Sequence, residues 1–121
     1  MFERTEAFSG FSVDDIPAAR QFYGETLGVR VSEEYGMLTL HIAGDRDILV
    51  YPKDDHTPAT YTILNFPVDD IASAVRQLAD REIRFETGEG IDDDGIMRQG
   101  GPLIAWFKDP AGNFLSVLQG D

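Results

Sequence analysis

The chain contains no cysteine among its 121 residues. That excludes a disulfide framework, a thiolate zinc site, an iron–sulfur cluster and a cysteine nucleophile. Histidine is almost as scarce. His41 and His56 stand alone, without the His-Glu-x-x-His spacing of a metal-binding helix. Positive charge is also short, with 10 Lys and Arg against 22 Asp and Glu and a net charge of −12. A surface of that sign repels phosphate backbones and anionic headgroups, so neither nucleic acid nor a membrane surface is an expected partner. No apolar run approaches the roughly 18 residues needed to span a bilayer. The opening Met1-Phe2-Glu3-Arg4-Thr5-Glu6 is neither basic nor followed by an apolar stretch, so no export signal is expected and a cytoplasmic location is. Gly-x-Ser-x-Gly and phosphate-cradling glycine motifs are missing too, which leaves nucleophilic hydrolysis and nucleotide binding without a motif.

What is present is an ordinary globular composition, 42% hydrophobic and 26% charged. A chain of this length forms one domain, 1–121, and buries roughly two-thirds of its unfolded surface without staples. It also repeats itself. A shift of 55 positions lays Phe11-Ser12-Val13-Asp14-Asp15-Ile16-Pro17-Ala18-Ala19 over Phe66-Pro67-Val68-Asp69-Asp70-Ile71-Ala72-Ser73-Ala74, with six of nine positions identical. The repeat divides the chain into modules at about 1–57 and 58–121.

Each copy opens on a period-two strand, Phe11 and Val13 or Leu64, Phe66 and Val68. Asp15 and Asp70 then stand where a helix N-cap is wanted, and Pro17 suits a first helical turn. Ile16, Ala19 and Tyr23 form one apolar helix face; Ile71, Ala74, Val75 and Leu78 form the other. Strands are expected again at Val29 to Val31, Met37 to Ile42 and Ile48 to Tyr51 in the first copy. The second copy places them at Ile83 to Phe85, Leu103 to Phe107 and Phe114 to Leu118. Pro and Gly with flanking Asp and Asn make Asp109-Pro110-Ala111-Gly112-Asn113 a turn. The predicted fold class is α+β, built from βαβββ twice.

Three segments in this order carry a resemblance: Val13-Asp14-Asp15-Ile16 with Phe22-Tyr23 and Leu27-Gly28, then Val68-Asp69-Asp70-Ile71, then Phe107-Lys108-Asp109-Pro110-Ala111-Gly112-Asn113. With the doubled module, the chain resembles the vicinal oxygen chelate superfamily of glyoxalase I, bleomycin-resistance proteins and extradiol dioxygenases. The resemblance implies two curved mixed sheets around a ligand cavity with helices on the outer face, commonly in a homodimer. It also implies a divalent metal held by His, Glu or Gln from four strands. Carried over by motif, those positions fall on Phe8, Ile63, Ser116 and one residue between Ile48 and Tyr51. Phe and Ile have no lone pair to give and a lone Ser hydroxyl is a poor ligand, so no metal and no cofactor are expected.

Strand parity then supplies a candidate cavity lining. If Phe11 and Val13 face their helix, Phe8, Gly10 and Ser12 face inward, as do Tyr61, Ile63 and Asn65 provided no bulge intervenes. Met37, Thr39 and His41 join them, with Phe114, Ser116 and Leu118 on the last strand; Tyr51 and Trp106 are candidate stacking surfaces. The mixture suits an uncharged or weakly cationic organic ligand. His41 is the candidate catalytic base and His56 reads as a solvated linker residue. Asp92-Asp93-Asp94-Gly95 lacks the alternate ligand spacing of a calcium loop and reads as solvated. The glycine-rich stretch 88–101 reads as a flexible connection, with a mobile lid as the alternative. Three functional readings follow: a metal-independent small-molecule-binding homodimer; an enzyme using His41 as base with Tyr61 or Asn65 orienting a carbonyl; and an interaction or regulatory protein whose cavity is filled.

Overall fold

A computed structural model describes residues 1–120. The chain divides into two compact units, Met1–Thr57 and a second beginning at Pro58. Together they make an α+β fold with two open mixed sheets.

The first unit runs β1 (Ser9–Val13), α1 (Ile16–Arg20), β2 (Arg30–Glu34), β3 (Met37–Ile42) and β4 (Arg46–Pro52). The strand order is β1-β4-β3-β2, with β1 parallel to β4 and the other pairs antiparallel. Asp15 caps α1 by accepting from the Ala18 amide at 3.0 Å, satisfying a donor that has no partner inside the helix. After Arg20 the helix widens into a π-helical stretch, Gln21–Thr26, closed by the Leu27 N–H donating to the Phe22 carbonyl at 2.9 Å. Phe11, Val13, Ala19, Tyr23, Leu38, Leu40 and Val50 are buried and form this unit's core. Phe11 and Tyr23 meet there, ring centroids 5.8 Å apart.

The second unit runs β5 (Thr62–Pro67), α2 (Ile71–Asp80), β6 (Leu103–Lys108) and β7 (Phe114–Gln119). Its strand order is β5-β7-β6, with one parallel and one antiparallel pair. Asp70 repeats the capping role of Asp15, accepting from the Ser73 amide at 3.2 Å. Ile71 and Val75 bury one face of α2, in a core with Ile83, Ile96, Ala105, Phe107, Leu115 and Val117.

Two expectations for this unit need correction. Ile83 to Phe85 is not a strand: the segment makes one isolated bridge, Phe85 to Phe107. This sheet therefore has three strands where βαβββ predicted four. Phe85 serves as an aromatic plug, packed edge-on against Phe107 at 5.7 Å. The stretch 88–101 is likewise no plain connection. Met97 bridges to both Ile91 and Ile104, which ties the loop to β6, and Ile96 is buried. Asp92 organises the turn, accepting from the amides of Asp94 and Ile96 at 2.9 Å each and from Arg98 Nε at 2.7 Å. Gly95 has φ +89, and a Cβ there would stand 2.7 Å from the Phe85 Cβ, so no other residue fits between the loop and the plug.

The Asp109–Asn113 turn is a clamp. The Asp109 carboxylate, 5% exposed, accepts from the Ala111 amide at 3.0 Å, the Asn113 amide at 2.9 Å and the Asn113 side-chain amide at 3.1 Å. Asn113 Oδ1 in turn accepts from the Ala59 amide at 3.2 Å, so the turn holds the entry to β5 as well as the start of β7. Gly112 has φ +85, and a Cβ there would meet the Pro58 Cγ at 3.0 Å.

Candidate functional site

In the first unit, Phe11, Val13 and Val50 are buried on the α1 side of the sheet. By strand register the opposite face carries Gly10 and Ser12 of β1, Leu49 and Tyr51 of β4, and Thr39 and His41 of β3. A Cβ on Gly10 would lie 3.1 Å from the Leu49 carbonyl oxygen and 3.8 Å from the Tyr51 ring, so the tight approach here is to the β4 backbone. Phe8 precedes β1 and is 70% exposed. His56, expected to be a solvated linker residue, is half-buried with its Nδ1 2.7 Å from Ser12 Oγ. His41 is held on both sides: its Nε2 lies 2.8 Å from Ser32 Oγ and its Nδ1 lies 3.1 Å from Asp47 Oδ1. The sequence reading singled out neither Ser32 nor Asp47, because they enter from β2 and β4 and no spacing along the chain relates them to His41.

In the second unit a register shift between Thr62 and Leu64 overturns the simple parity. Ile63 is the extra residue of a β-bulge, so the alternation through Tyr61, Ile63 and Asn65 is broken. Thr62 takes the place expected of its neighbours. It pairs with Phe114, as Asn65 pairs with Ser116 and Ser116 with Trp106. Trp106 Nε1 donates to Thr62 Oγ1 at 3.1 Å. The fully buried Ser116 donates from Oγ to Asn65 Oδ1 at 2.6 Å. Beside these residues lies a pocket of about 330 Å³ bounded by Thr60, Tyr61, Thr62, Glu86, Thr87, Trp106 and Phe114. Tyr61, 70% exposed, forms its rim. Lys108 Nζ stands 5.0 Å from the Phe114 ring centroid and 3.7 Å from Glu86 Oε1, which places a carboxylate–ammonium pair beside the aromatic wall. Thr60, Thr62, Glu86 and Thr87 were missed: Thr60 precedes β5, the bulge hides Thr62, and the other two follow the irregular segment that replaces the expected strand.

A larger groove of about 620 Å³ lies in the first unit, between Pro17, Arg20, Gly24 and Glu25 of the helical segment and Val29, Val31 and Glu33. The Arg20–Glu33 ion pair spans it at 2.7 Å. It has no aromatic surface and none of the sequence-predicted residues, so the smaller pocket is the better candidate despite its size.

Residues 7–117 match the family model of the Glyoxalase/Bleomycin resistance protein/Dioxygenase superfamily. The chain belongs to this superfamily. A glyoxalase family protein from Enterococcus faecalis superposes with a TM-score of 0.71 at 23% identity, covering 98% of this chain and 99% of that one. An antibiotic binding protein from a Streptomyces species gives a TM-score of 0.71 at 20% identity over 98% of each chain. A Vibrio cholerae integron cassette protein gives 0.69 at 21% identity over 100% of each. These likenesses bear on fold. A search of the curated proteins gives no match.

The glyoxalase fold brings with it the question of a metal, and the residues present do not fit one. The positions carried over from the superfamily hold exposed Phe8, Ile63 inside a bulge, and Ser116, whose hydroxyl is committed to Asn65. The fourth position is narrowed by register: Leu49 and Tyr51 share the face of Ser12, whereas Ile48 and Val50 lie on the other. Leu has no donor and a phenol is no substitute for an imidazole or carboxylate. Among the described residues no group of three or more His, Asp or Glu is placed to hold a metal ion. None of their helices is long and apolar enough to cross a membrane.

Proposed function

We propose that this chain is a metal-independent small-molecule-binding member of its superfamily, acting as a cytoplasmic homodimer that takes up an uncharged or cationic organic ligand. The observation that carries this reading is the pocket between Trp106, Phe114 and the Thr60–Thr62 segment with Glu86 at its edge. Aromatic faces with a few hydroxyls favour a flat, neutral or positively charged molecule through stacking, hydrogen bonding and cation–π attraction, and Glu86 can exchange its Lys108 partner for a cationic ligand. The net charge of −12 adds long-range attraction for cations. The metal-ligand positions, filled by Phe8, Ile63 and Ser116, support the metal-independent part. That the Streptomyces protein of the same fold is an antibiotic binding protein supports ligand capture as a use of this scaffold. In the first unit Ser12, Thr39, His41 and Tyr51 are candidate ligand contacts on the sheet face opposite α1.

Trp106 is the only tryptophan, so its fluorescence reports on this pocket alone. The test screens aromatic amines against matched neutral and anionic aromatics by thermal shift and Trp106 fluorescence. It is paired with metal analysis by mass spectrometry and with mass determination in solution. Saturable binding of neutral or cationic compounds, lost in Trp106→Ala, is the expected result. One tightly held metal ion per chain would overturn the metal-independent reading. Binding of anions alone would overturn the ligand class. No binding at all would favour an interaction protein.

A further inference from the structure

We propose that Ser32, His41 and Asp47 form a nucleophile–base–acid series that gives this chain acyl-transfer activity toward small carboxylic esters. The three residues come from three neighbouring strands of the first unit. His41 on β3 stands directly opposite Asp47 on β4. Across β2 it pairs with Arg30, which puts Ser32, the partner of Thr39, at the diagonal position. Direct and diagonal neighbours on one sheet face are within reach of each other. The imidazole spans both, with Nδ1 3.1 Å from Asp47 Oδ1 and Nε2 2.8 Å from Ser32 Oγ.

The chemistry follows from which atoms can donate. An ionised carboxylate only accepts, so the neutral imidazole carries its proton on Nδ1 and presents the Nε2 lone pair to the Ser32 hydroxyl. That is the tautomer a general base needs, and Asp47 is the positioning residue that selects it and stabilises the imidazolium formed later. Ser32 is exposed, so an ester can reach it, while the His41 side chain is only 23% exposed and its ring is held in place. Thr39 and Arg30 share this face by register, and a hydroxyl and a guanidinium are the donor types that a developing oxyanion requires. The sequence singled out His41 as a candidate base but neither of its partners, since the elbow motif of serine hydrolases is missing and the three residues meet only through strand register.

The cycle balances with water as the sole co-reactant. Ser32 Oγ bonds to the ester carbonyl carbon as its proton passes to His41 Nε2. The tetrahedral adduct collapses, breaking the bond from carbon to the leaving oxygen, and His41 returns the proton to the departing alkoxide. His41 then deprotonates a water molecule, which attacks the acyl-Ser32 ester. The carboxylic acid leaves, and Ser32 recovers its proton from the imidazolium.

The test treats the full chain with a fluorophosphonate probe, maps the adduct by peptide mass spectrometry, and follows single-turnover acylation by 4-nitrophenyl acetate. The expected adduct is on Ser32 and is absent in Ser32→Ala, a change at an exposed position. Acylation should fall about a hundredfold in His41→Gln. It should fall comparably in Asp47→Asn at unchanged Tm, because the amide donates to Nδ1 and reverses the tautomer. His56→Gln removes the other imidazole and should leave the rate unaltered. Absence of a Ser32 adduct on folded wild-type protein would overturn the proposal. So would labelling of Ser32 at an undiminished rate in His41→Gln. Neither result bears on the Trp106 pocket, so this proposal and the binding reading fail separately.

Discussion

Asp109→Ala should destabilise the chain more than any exposed substitution, and the size of the effect can be worked from the turn itself. The carboxylate is 5% exposed and accepts from two backbone amides and one side-chain amide, all within 3.1 Å. Hydrogen bonds to a charged acceptor contribute about 1.5–3 kcal/mol each, and buried donors left without a partner carry the full desolvation penalty. Taking the lower figure for three bonds, because members of one cluster are not additive, gives about 4 kcal/mol. Typical domains have only about 5–15 kcal/mol in total. At about 4 °C per kcal/mol for a chain of this size, the expected fall in Tm is about 15 °C.

Asp109→Asn separates charge from shape. Its amide oxygen can still accept from the Ala111 and Asn113 backbone, but its NH₂ then faces the Asn113 side-chain NH₂. One bond is lost and two are weakened, so about half the loss of the alanine variant is expected. Urea unfolding followed by circular dichroism, with thermal melts, gives both values. A fall in Tm below about 5 °C for Asp109→Ala, or equal losses for the two variants, would refute the view that three charge-assisted bonds hold this turn.

Further outcomes are expected elsewhere. Ser116→Ala removes the donor to Asn65 Oδ1 at a fully buried site and should cost about 1–3 kcal/mol by urea unfolding; a neutral result would mean that water takes over the bond. Gly95→Ala places a methyl against Phe85 at positive φ and should cost about 2 kcal/mol or more by the same measurement, with loss of amide protection at Ile96. The Arg98 guanidinium, followed by the Ile96 amide, holds the Asp92 carboxyl below its ordinary value of 3.8. A depressed folded value means that the loop contact is fully present above the ordinary range and is lost as pH falls through the lowered one. The Ile96 amide resonance should therefore titrate with a midpoint below 3.8, and Arg98→Ala should move that midpoint upward. A midpoint insensitive to Arg98 would remove the ion pair from the account.

The superfamily was legible as a resemblance carried by three motifs, while sequence alone determined the two helices with their Asp15 and Asp70 caps and most of the strands. These follow from local rules: period-two and period-3.6 patterning, capping chemistry and turn residues act over a few neighbours, and the 55-residue repeat applies them twice. That Phe8, Ile63 and Ser116 stand at the metal-donor positions is what the resemblance implies; residue type adds only that Phe and Ile have no lone pair to give.

What the tertiary structure decided depends on pairing between strands distant in the chain. One bulge at Ile63 moved Thr62 onto the Trp106 face and broke the parity from Tyr61 through Asn65, and no side-chain pattern announces a bulge. Ile83 to Phe85 reads as a strand by composition, yet Phe85 is drawn in as a plug over Phe107 while a loop built on Asp92 folds back against it. His41 acquired Ser32 and Asp47 only when β2 and β4 were laid on either side of β3. A chain can show which residues own a lone pair or a proton; only the register of the sheet shows which of them stand within hydrogen-bonding distance of one another.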